Sequence, residues 1–453
     1  MAMGKRRARQ ESLFVSTEEL PKSQGHPFYK RLNQLLAEAG FDRWIENRCQ
    51  QYYEQEETRG QPSIPPGVYF RMLLVGYFEN IGSQRGIAWR CGDSLSLRQF
   101  LGIPLGESSP DHSTMTNTRK RLPPEVFDEV FQFVLSIAAE KKLIAGKTVG
   151  VDSTLLEADA AMKSIVRRDS GEDWKKYVTR LMQEEGVIGP EDKPTAEEVR
   201  RFDKKRENKK VSNEEWVSPH DPESRIAKMK DGRTHLAYKA EHVVDLKSDL
   251  VLAVEIHPAD AADTDTLADS VMKAQENLQA AGSEIEIEEA AADKGYHSGN
   301  QLELCTSLGL RTYIPEPKRR GKNRWTDKPA EYQQAVYANR RRVRRPKSRL
   351  LQRQRSEKVE RTFAHICNSG GMRRSWLKGI VDVTKRYLMA VAAHNLGRIM
   401  RKLFGIGKPK ALQPEGSLAA LVQLLIARLV LFLAERCDRF NRRSFHVAQP
   451  SSK

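Results

Sequence analysis

Several signatures of common protein classes are missing from this sequence. Its 453 residues include five cysteines and no CxxC pair, which argues against both a disulfide framework and a zinc finger. There is no GxxxxGK(S/T) phosphate-binding loop and no GxSxG elbow, so nothing supports nucleotide hydrolysis or serine-hydrolase chemistry. Internal repeats are also absent. The scattered thiols are typical of a protein in a reducing cytosol.

Long apolar runs are scarce as well. The most apolar segment, 418–434, contains Gln423 and Arg428 and is too short and too polar for a confident membrane span. The basic start, MAMGKRRARQ, is not followed by the apolar run of a signal peptide. We therefore expect no membrane contact and a cytoplasmic, nucleoid-associated location. Segment 418–434 is better interpreted as an amphipathic helix, either packed in a C-terminal core or used for self-association.

Positive charge is abundant and clustered. The formal net charge is +16, which favours a polyanionic partner: DNA or RNA first, an anionic membrane surface second. A merely basic protein is the plain alternative. Residues 318–355 hold 15 basic residues against two acids, Asp327 and Glu331. Such a block is typical of a segment that is mobile when free and ordered by phosphates when bound, although a solvated loop is also possible.

Helical spacing dominates residues 27–142, where Gly and capping residues separate short helices. The last of these, SPDHSTMTNTRKRL, has Asp111 among its cap candidates and ends in Arg119, Lys120 and Arg121. A run of short helices with a basic end resembles a helix-turn-helix DNA reader. A helical scaffold without groove contacts remains an equal alternative.

The pattern changes after Lys142. TVGVDST alternates as a strand, and HLAYKAEHVVDL and LVLAVEIHP form a predicted hairpin around the turn KSD. Helix, strand, helix and a final short strand follow through RTYIPEP. This order is close to that of a ribonuclease-H-like core with a charged insertion after the first strand. The fold class is therefore α/β: a ribonuclease-H-like mixed sheet with an all-α N-terminal domain.

Three acids stand in three separate contexts. Asp152 ends TVGVD, Asp293 ends EAAAD, and Glu360 lies on the helix-like stretch SEKVERTFAHIC. Magnesium takes oxygen ligands, commonly one or two carboxylates per ion, and a pair of ions can assist both oxygens of a phosphodiester exchange. A lone strand-end Asp is more often a turn cap, so the hypothesis rests on the set. We predict a site for two Mg²⁺ ions, with Mn²⁺ as a possible substitute.

Helix geometry selects the third acid. At about 100° per residue, Glu360 lies at the edge of the apolar face formed by Val359, Phe363 and Ile366, whereas Glu357 faces solvent. Four other acids compete with these three, and we expect turn or cap roles for them: Asp221, Asp245, Asp263 and Asp265. His297 follows Asp293 closely and is predicted to be a surface histidine, with contact to the scissile phosphate as the alternative.

At these residues the sequence resembles the DDE transposases of bacterial insertion sequences, over about residues 26–403. GVDST carries the first acid, ADKGYHS the second and VERTFAHICNSGGMRR the third. The family often has Arg four residues before the Glu and Lys or Arg seven after it. Here those positions are Ser356 and Cys367, and nearby arginines are close enough to substitute.

The resemblance implies a reaction and its partners. The enzyme would bind the inverted repeats at the element's ends, cut the DNA with water, and join the freed 3′-hydroxyl to target DNA without a covalent protein intermediate. Asp152, Asp293 and Glu360 would hold the metal. Double-stranded DNA is the expected partner, and two ends require at least a dimer on DNA. A nuclease without joining activity and a non-catalytic, transposon-derived DNA-binding protein are the alternatives.

We divide the chain into a basic flexible tail (1–25), a helical DNA-binding domain (26–142), a catalytic domain (143–403) and a C-terminal helical tail (404–453). The catalytic domain contains the insertion (157–232) and a basic arm (318–355). The predicted DNA-binding residues are Arg119, Lys120, Arg121, Lys318, Arg319, Arg320, Arg340, Arg341, Arg342, Arg344, Arg345, Lys347, Arg353, Arg355 and Arg361.

Overall fold

Helices precede the first strand, as the apolar spacing predicts. The computed structural model describes residues 25–53, 63–144, 146–207, 212–318, 325–326 and 328–409. Prolines begin three of the early helices, where a missing N–H costs little. The helices are α1 (Pro27–Glu38), α2 (Phe41–Cys49), α3 (Pro66–Glu79), α4 (Gln84–Asp93), α5 (Leu95–Leu101), α6 (His112–Arg121) and α7 (Pro124–Glu140).

Helix α3 is buried on nearly all sides and organises this region. Its Arg71 is 4% exposed and forms a two-pronged ion pair with Asp42, at 2.8 and 2.7 Å. The same guanidinium donates to Asn33 and to the carbonyl of Phe100, so this one side chain ties α1, α2 and α5 to α3. A buried arginine is tolerated here because its donors are matched by acceptors.

A mixed sheet forms the centre of the chain. Its strands are β1 (Thr148–Glu157), β4 (Arg225–Lys228), β5 (Thr234–Asp245), β6 (Val251–Pro258), β7 (Glu289–Ala291) and β8 (Arg311–Tyr313). The strand order is β6-β5-β1-β7-β8, in which the β6–β5 and β5–β1 pairs are antiparallel and the β1–β7 and β7–β8 pairs are parallel. Strand β4 pairs antiparallel with residues 234–237 of β5, and β6 pairs with residues 238–244 of the same strand. This is a ribonuclease-H-like core, as predicted.

Helices cover both faces of this sheet. They are α10 (Asp263–Ala280) on one face and α13 (Pro346–Phe363) and α14 (Ile380–Phe404) on the other. Adjacent residues of β5 show this, because successive side chains of a strand point to opposite faces. Glu241 accepts hydrogen bonds from Ser270 of α10, whereas His242 bonds to Thr362 of α13 and Tyr387 of α14. Burial lowers the pKa of His242 to about 3, so its imidazole is neutral.

Helix α7 joins the N-terminal helices to the sheet, since it packs against both α10 and α14. Lys273 of α10 forms an ion pair with Asp128 of α7 at 2.7 Å, and Gln132 donates to Asn277. The described residues up to Gly407 group into one compact unit. The predicted division at 142/143 therefore stays a prediction, and segment 418–434 lies outside the described residues.

The insertion after β1 has a small core of its own. Helices α8 (Trp174–Glu184) and α9 (Ala196–Lys205) pack Val178 and Met182 against Val199. A two-stranded sheet of β2 (Val166–Arg167) and β3 (Trp216–Val217) lies beside them. The end of the insertion, β4, pairs with β5 of the main sheet. The charged segment is thus anchored to the core at both ends.

The described part of the basic block is mostly helical: α12 (Ala330–Val343) follows α11 (Gly299–Ser307) and β8, and α13 begins at Pro346. The mobility of the block in the absence of DNA stays a prediction. Helix α13 then runs into a π-helical turn, Ala364–Ser369. Among the described helices, none combines the length and apolar character that crossing a membrane requires.

Candidate active site

Asp152 lies in the middle of β1 and not at its end, because β1 continues to Glu157 through pairing with β5. Two residues earlier, Gly150 gives α13 room to approach the strand. A Cβ there would lie 3.1 Å from Val359 Cγ2 and 3.2 Å from Arg355 Cγ. Asp152 shares this strand face and receives a hydrogen bond from Arg355 Nη1 to Oδ2 at 2.5 Å.

Strand register brings the second acid beside the first. Gly150 pairs with Ala291 of the parallel strand β7, and Asp152 and Asp293 each follow that pair by two residues. Asp293 then caps a 3₁₀ turn, Lys294–Tyr296, by accepting from the Gly295 N–H at 2.5 Å. The cap leaves the other carboxylate oxygen available. Matching positions on adjacent parallel strands explain why these two acids converge.

The electrostatics of Asp152 reflect this arrangement. Burial raises the pKa of its carboxyl group most, and the charge of Asp293 raises it further. The guanidinium of Arg355 and the Ser153 N–H act in the opposite direction and lower that pKa. A half-buried acid next to a second acid favours cation binding, since a cation relieves both desolvation and repulsion.

Glu360 lies on the exposed side of α13, the helix that packs across β1. Two neighbouring residues of the helix point elsewhere: Lys358 donates to the Leu246 carbonyl at 2.5 Å, and Arg361 pairs with Asp249 at 3.4 Å. At about 100° per residue, Glu360 is about 160° from Lys358 and about 100° from Arg361. Its carboxylate is exposed and accepts from Ser356 at 3.1 Å. It is thus farther from the core than predicted, and its role as a ligand stays a prediction.

Asp263 is a site residue that the sequence interpretation missed. It was expected to cap α10, but the N-cap is Ala262, without a side-chain capping bond. Its Oδ1 accepts from Ser153 and Lys239, both at 3.1 Å. Its Oδ2 points toward the 3₁₀ turn: a Cβ on Gly295 would be 3.1 Å from it and 2.8 Å from Asp293 Oδ1. A third carboxylate therefore lies beside the pair.

We expect Asp263→Asn to lower DNA cleavage about 10–100-fold and to raise the magnesium concentration needed, because groups that orient metal ligands have effects of this size. Cleavage rates across a magnesium titration would measure both. Asp265→Asn is the matched control, since Asp265 is an exposed acid in the same helical turn. Equal effects of the two variants would contradict a role for Asp263 in the site.

Three other residues considered for the site are buried in the protein. Asp245 is buried and accepts from Ser248 Oγ and the Gly146 N–H, which is a turn role as predicted. Asp221 is buried and accepts from Tyr238 at 2.6 Å. His297 is 9% exposed, so its interpretation as a surface histidine was wrong. Its burial follows from packing that a single sequence does not show.

A second group of ligand-type side chains occurs on the α10 face. Atoms of Glu241, Glu255 and His257 lie within 4.8 Å of one another. Glu241 is 1% exposed, and burial raises its pKa. Its oxygens already accept hydrogen bonds from Thr266, Ser270 and Tyr296. We interpret this group as a polar cluster that supports the Lys294–Tyr296 turn, because donors within the protein satisfy the Glu241 carboxylate.

Part of the predicted DNA-binding set is engaged inside the protein. Arg119 faces Asp382 of α14 at 3.3 Å, Arg340 pairs with Glu316, and Arg342 donates to the Thr312 carbonyl. Burial lowers the pKa of Arg342, whose side chain has a structural role. Three more of the set are in ion pairs with acids: Lys347 with Glu289, Arg355 with Asp152, and Arg361 with Asp249 and Glu357.

The rest of that set is exposed or lies outside the described residues. Arg319 and Arg320 are not described. Arg121 lies over the ring of Tyr53, 4.6 Å from its centroid. On α13, Arg353 is exposed and lies seven residues before Glu360, so both belong to the same helix face. The exposed members are Lys120, Arg121, Lys318, Arg341, Arg344, Arg345 and Arg353.

Two family models match the chain. A transposase domain (DUF772) matches residues 15–121, and a transposase DDE domain matches residues 205–396. The chain belongs to the DDE transposases of insertion sequences. The resemblance drawn from its three acidic motifs is thereby confirmed at the level of the family. The transposase has Asp293 and Glu360 within the second match, whereas β1 with Asp152 lies between the two matches.

Comparison of the transposase with curated proteins and with solved structures gives no match. The roles of individual residues therefore rest on geometry. That geometry brings Asp152, Asp293 and Asp263 together, whereas Glu360 lies on the exposed side of α13. The helix-turn-helix interpretation of α4–α6 stays a prediction.

Proposed function

We propose that this transposase binds double-stranded DNA at the ends of its element and catalyses metal-dependent strand cleavage and transfer. The observation that carries the proposal is the β1–β7 register, in which Asp152 and Asp293 each lie two residues beyond the Gly150–Ala291 pair. Glu360 is the third predicted ligand. The exposed arginines of α12 and α13 provide charge for the DNA backbone on the approach to this site.

The donor set fits a hard divalent cation, since carboxylate oxygens are the ligands that Mg²⁺ and Mn²⁺ prefer. Such ions, when bound, supply activation of the attacking oxygen and stabilisation of the leaving oxygen. The protein's own contribution is orientation. The Gly295 N–H fixes one oxygen of Asp293, and Arg355 fixes one oxygen of Asp152. We propose sites for two ions and, because two element ends must be handled together, at least a dimer on DNA.

Arg355 also has a role in the proposed reaction. Its side chain is 12% exposed and neutralises Asp152 across the α13–β1 contact. A phosphate that enters the site can bind the same guanidinium, because the planar N–H donors of arginine match the geometry of phosphate as well as of carboxylate. We propose that Arg355 substitutes for the family's arginine four residues before the Glu, where this chain has Ser356.

A joining assay tests the proposal. The full chain is mixed with a DNA fragment carrying the gene's own flanking ends, a target plasmid and magnesium. We expect joined products that disappear when EDTA replaces magnesium. Nicks without joined products would show a nuclease, and specific binding with neither product would show a non-catalytic DNA-binding protein.

A further inference from the structure

A polar cavity of about 450 Å³ opens beside the carboxylate pair. Its floor is the part of β1 that follows Asp152, namely Ser153, Thr154 and Leu155. Asp263 borders both the cavity and the pair, since its Oδ2 faces the Asp293 turn and its Oδ1 bonds to Ser153. The cavity and the candidate metal site therefore share a wall.

Three cations that line this cavity have no acidic partner among the described residues. Lys228 ends β4, Lys230 lies in the following turn, and Arg373 follows the π-helical turn. Arg373 is oriented by hydrogen bonds to the neutral amide oxygen of Asn368. A neutral partner orients the guanidinium without neutralising its charge. The insertion thus supplies two of the three cations through its last strand and turn.

The acids that line the cavity are paired already. Lys239 Nζ lies 3.1 Å from Asp263 Oδ1, and His235 Nε2 lies 2.9 Å from Asp231. Glu157 faces Arg374 at 3.6 Å. The uncompensated charge of the cavity is therefore positive, and an anion is the ligand that it favours.

The volume of the cavity limits the size of the anion that it can hold. Pockets of about 300–1,000 Å³ hold one small molecule. A DNA duplex is much larger, since its major groove alone is about 12 Å wide. A single nucleotide fits these dimensions and a duplex does not. Thr154 is two residues beyond Asp152, which is about 7 Å along a strand. A DNA strand with one phosphate at the carboxylate pair thus reaches the cavity within about one nucleotide.

We propose that this cavity binds one unpaired nucleotide of the DNA strand next to the cut, with Lys228, Lys230 and Arg373 around its phosphate. The inference rests on the proposed function, because it takes the phosphate at Asp152 and Asp293 as its reference point. It adds that the transposase holds DNA whose pairing is broken beside the cut. A DNA that is already unpaired there should therefore bind more tightly than a full duplex, because the protein does not have to break base pairs.

Binding without metal tests this directly. The full chain, in EDTA, is titrated against two fluorescent DNAs of equal length: a fully paired duplex and one with a short unpaired end. We expect the double variant K228A/K230A to weaken binding of the unpaired-end DNA about tenfold and of the duplex less than about twofold, as for loss of charge-assisted phosphate contacts. R373Q should show the same selectivity.

K175A/K176A is the matched control, because Lys175 and Lys176 are exposed on α8 of the same insertion and their loss removes the same charge. It should not distinguish the two DNAs. Equal weakening of both DNAs by K228A/K230A and by R373Q, or no weakening, would overturn the proposal. Since no cleavage is measured, failure of the joining assay would count against the proposed function and leave this result unchanged.

Discussion

Replacing Asp293 by asparagine should lower DNA cleavage at least about a thousandfold while DNA affinity stays within about twofold of the unchanged protein. Metal-ion catalysis contributes several kcal/mol, and each 1.36 kcal/mol is a tenfold change in rate. Asparagine can still accept from the Gly295 N–H, so the 3₁₀ turn is retained. Single-turnover cleavage and fluorescence anisotropy with the same DNA would measure the two quantities.

Asp293 is a cleaner choice than Asp152 for this experiment. Removing the charge of Asp152 would leave Arg355 half-buried without its ion pair, and stability would change together with chemistry. Asp269→Asn is the control, because Asp269 is an exposed acid on α10. It should cleave at the normal rate. If Asp293→Asn lost binding together with cleavage, a ligand role for Asp293 would be excluded.

Neutralising Arg341, Arg344 and Arg345 together should weaken DNA binding at least about tenfold at low salt and flatten its salt dependence. These side chains are exposed at the α12–α13 junction. Each phosphate contact that is lost removes about 0.9 from the slope of log affinity against log salt concentration. Binding titrations at several salt concentrations give the slope directly.

The structure refines which arginines belong in that variant. Arg342 is left unchanged, because it donates to the Thr312 carbonyl and its removal would disturb β8. The control variant removes three exposed cations of α9: Arg200, Lys204 and Lys205. Its salt slope should equal that of the unchanged protein. An unchanged slope in the Arg341/Arg344/Arg345 variant would show that this surface does not contact the DNA backbone.

Local patterns predicted much of the fold. The β5–β6 hairpin and α10 followed from alternation and helical spacing, which act within a few neighbours. The strand order followed from the likeness of the element order to a ribonuclease-H-like core. The length of β1 did not follow, because its second half is set by pairing as far as Glu157 with Ala237 of β5. Tertiary hydrogen bonds decide where such a strand ends.

The candidate site, like the fold, was predictable from the sequence only in part. The proximity of Asp152 and Asp293 was predictable from the order of the strands, although Asp152 lies within β1 and not at its end. Asp263 was not, since its orientation depends on Ser153, which is 110 positions away. Likewise, the basic block showed where the charge is concentrated. It did not show that Arg342 and Lys347 serve the fold while Arg341 and Arg344 remain exposed.

Gly150 has a consequence for the dimensions of the site. The strand that carries Asp152 and the helix that carries Glu360 are in contact at this position, and the missing side chain sets how closely they approach. One methyl group there would act as a spacer between two predicted ligands that are 208 positions apart in the chain. The distance between two predicted metal ligands can thus depend on a glycine that itself provides no ligand atom and no charge.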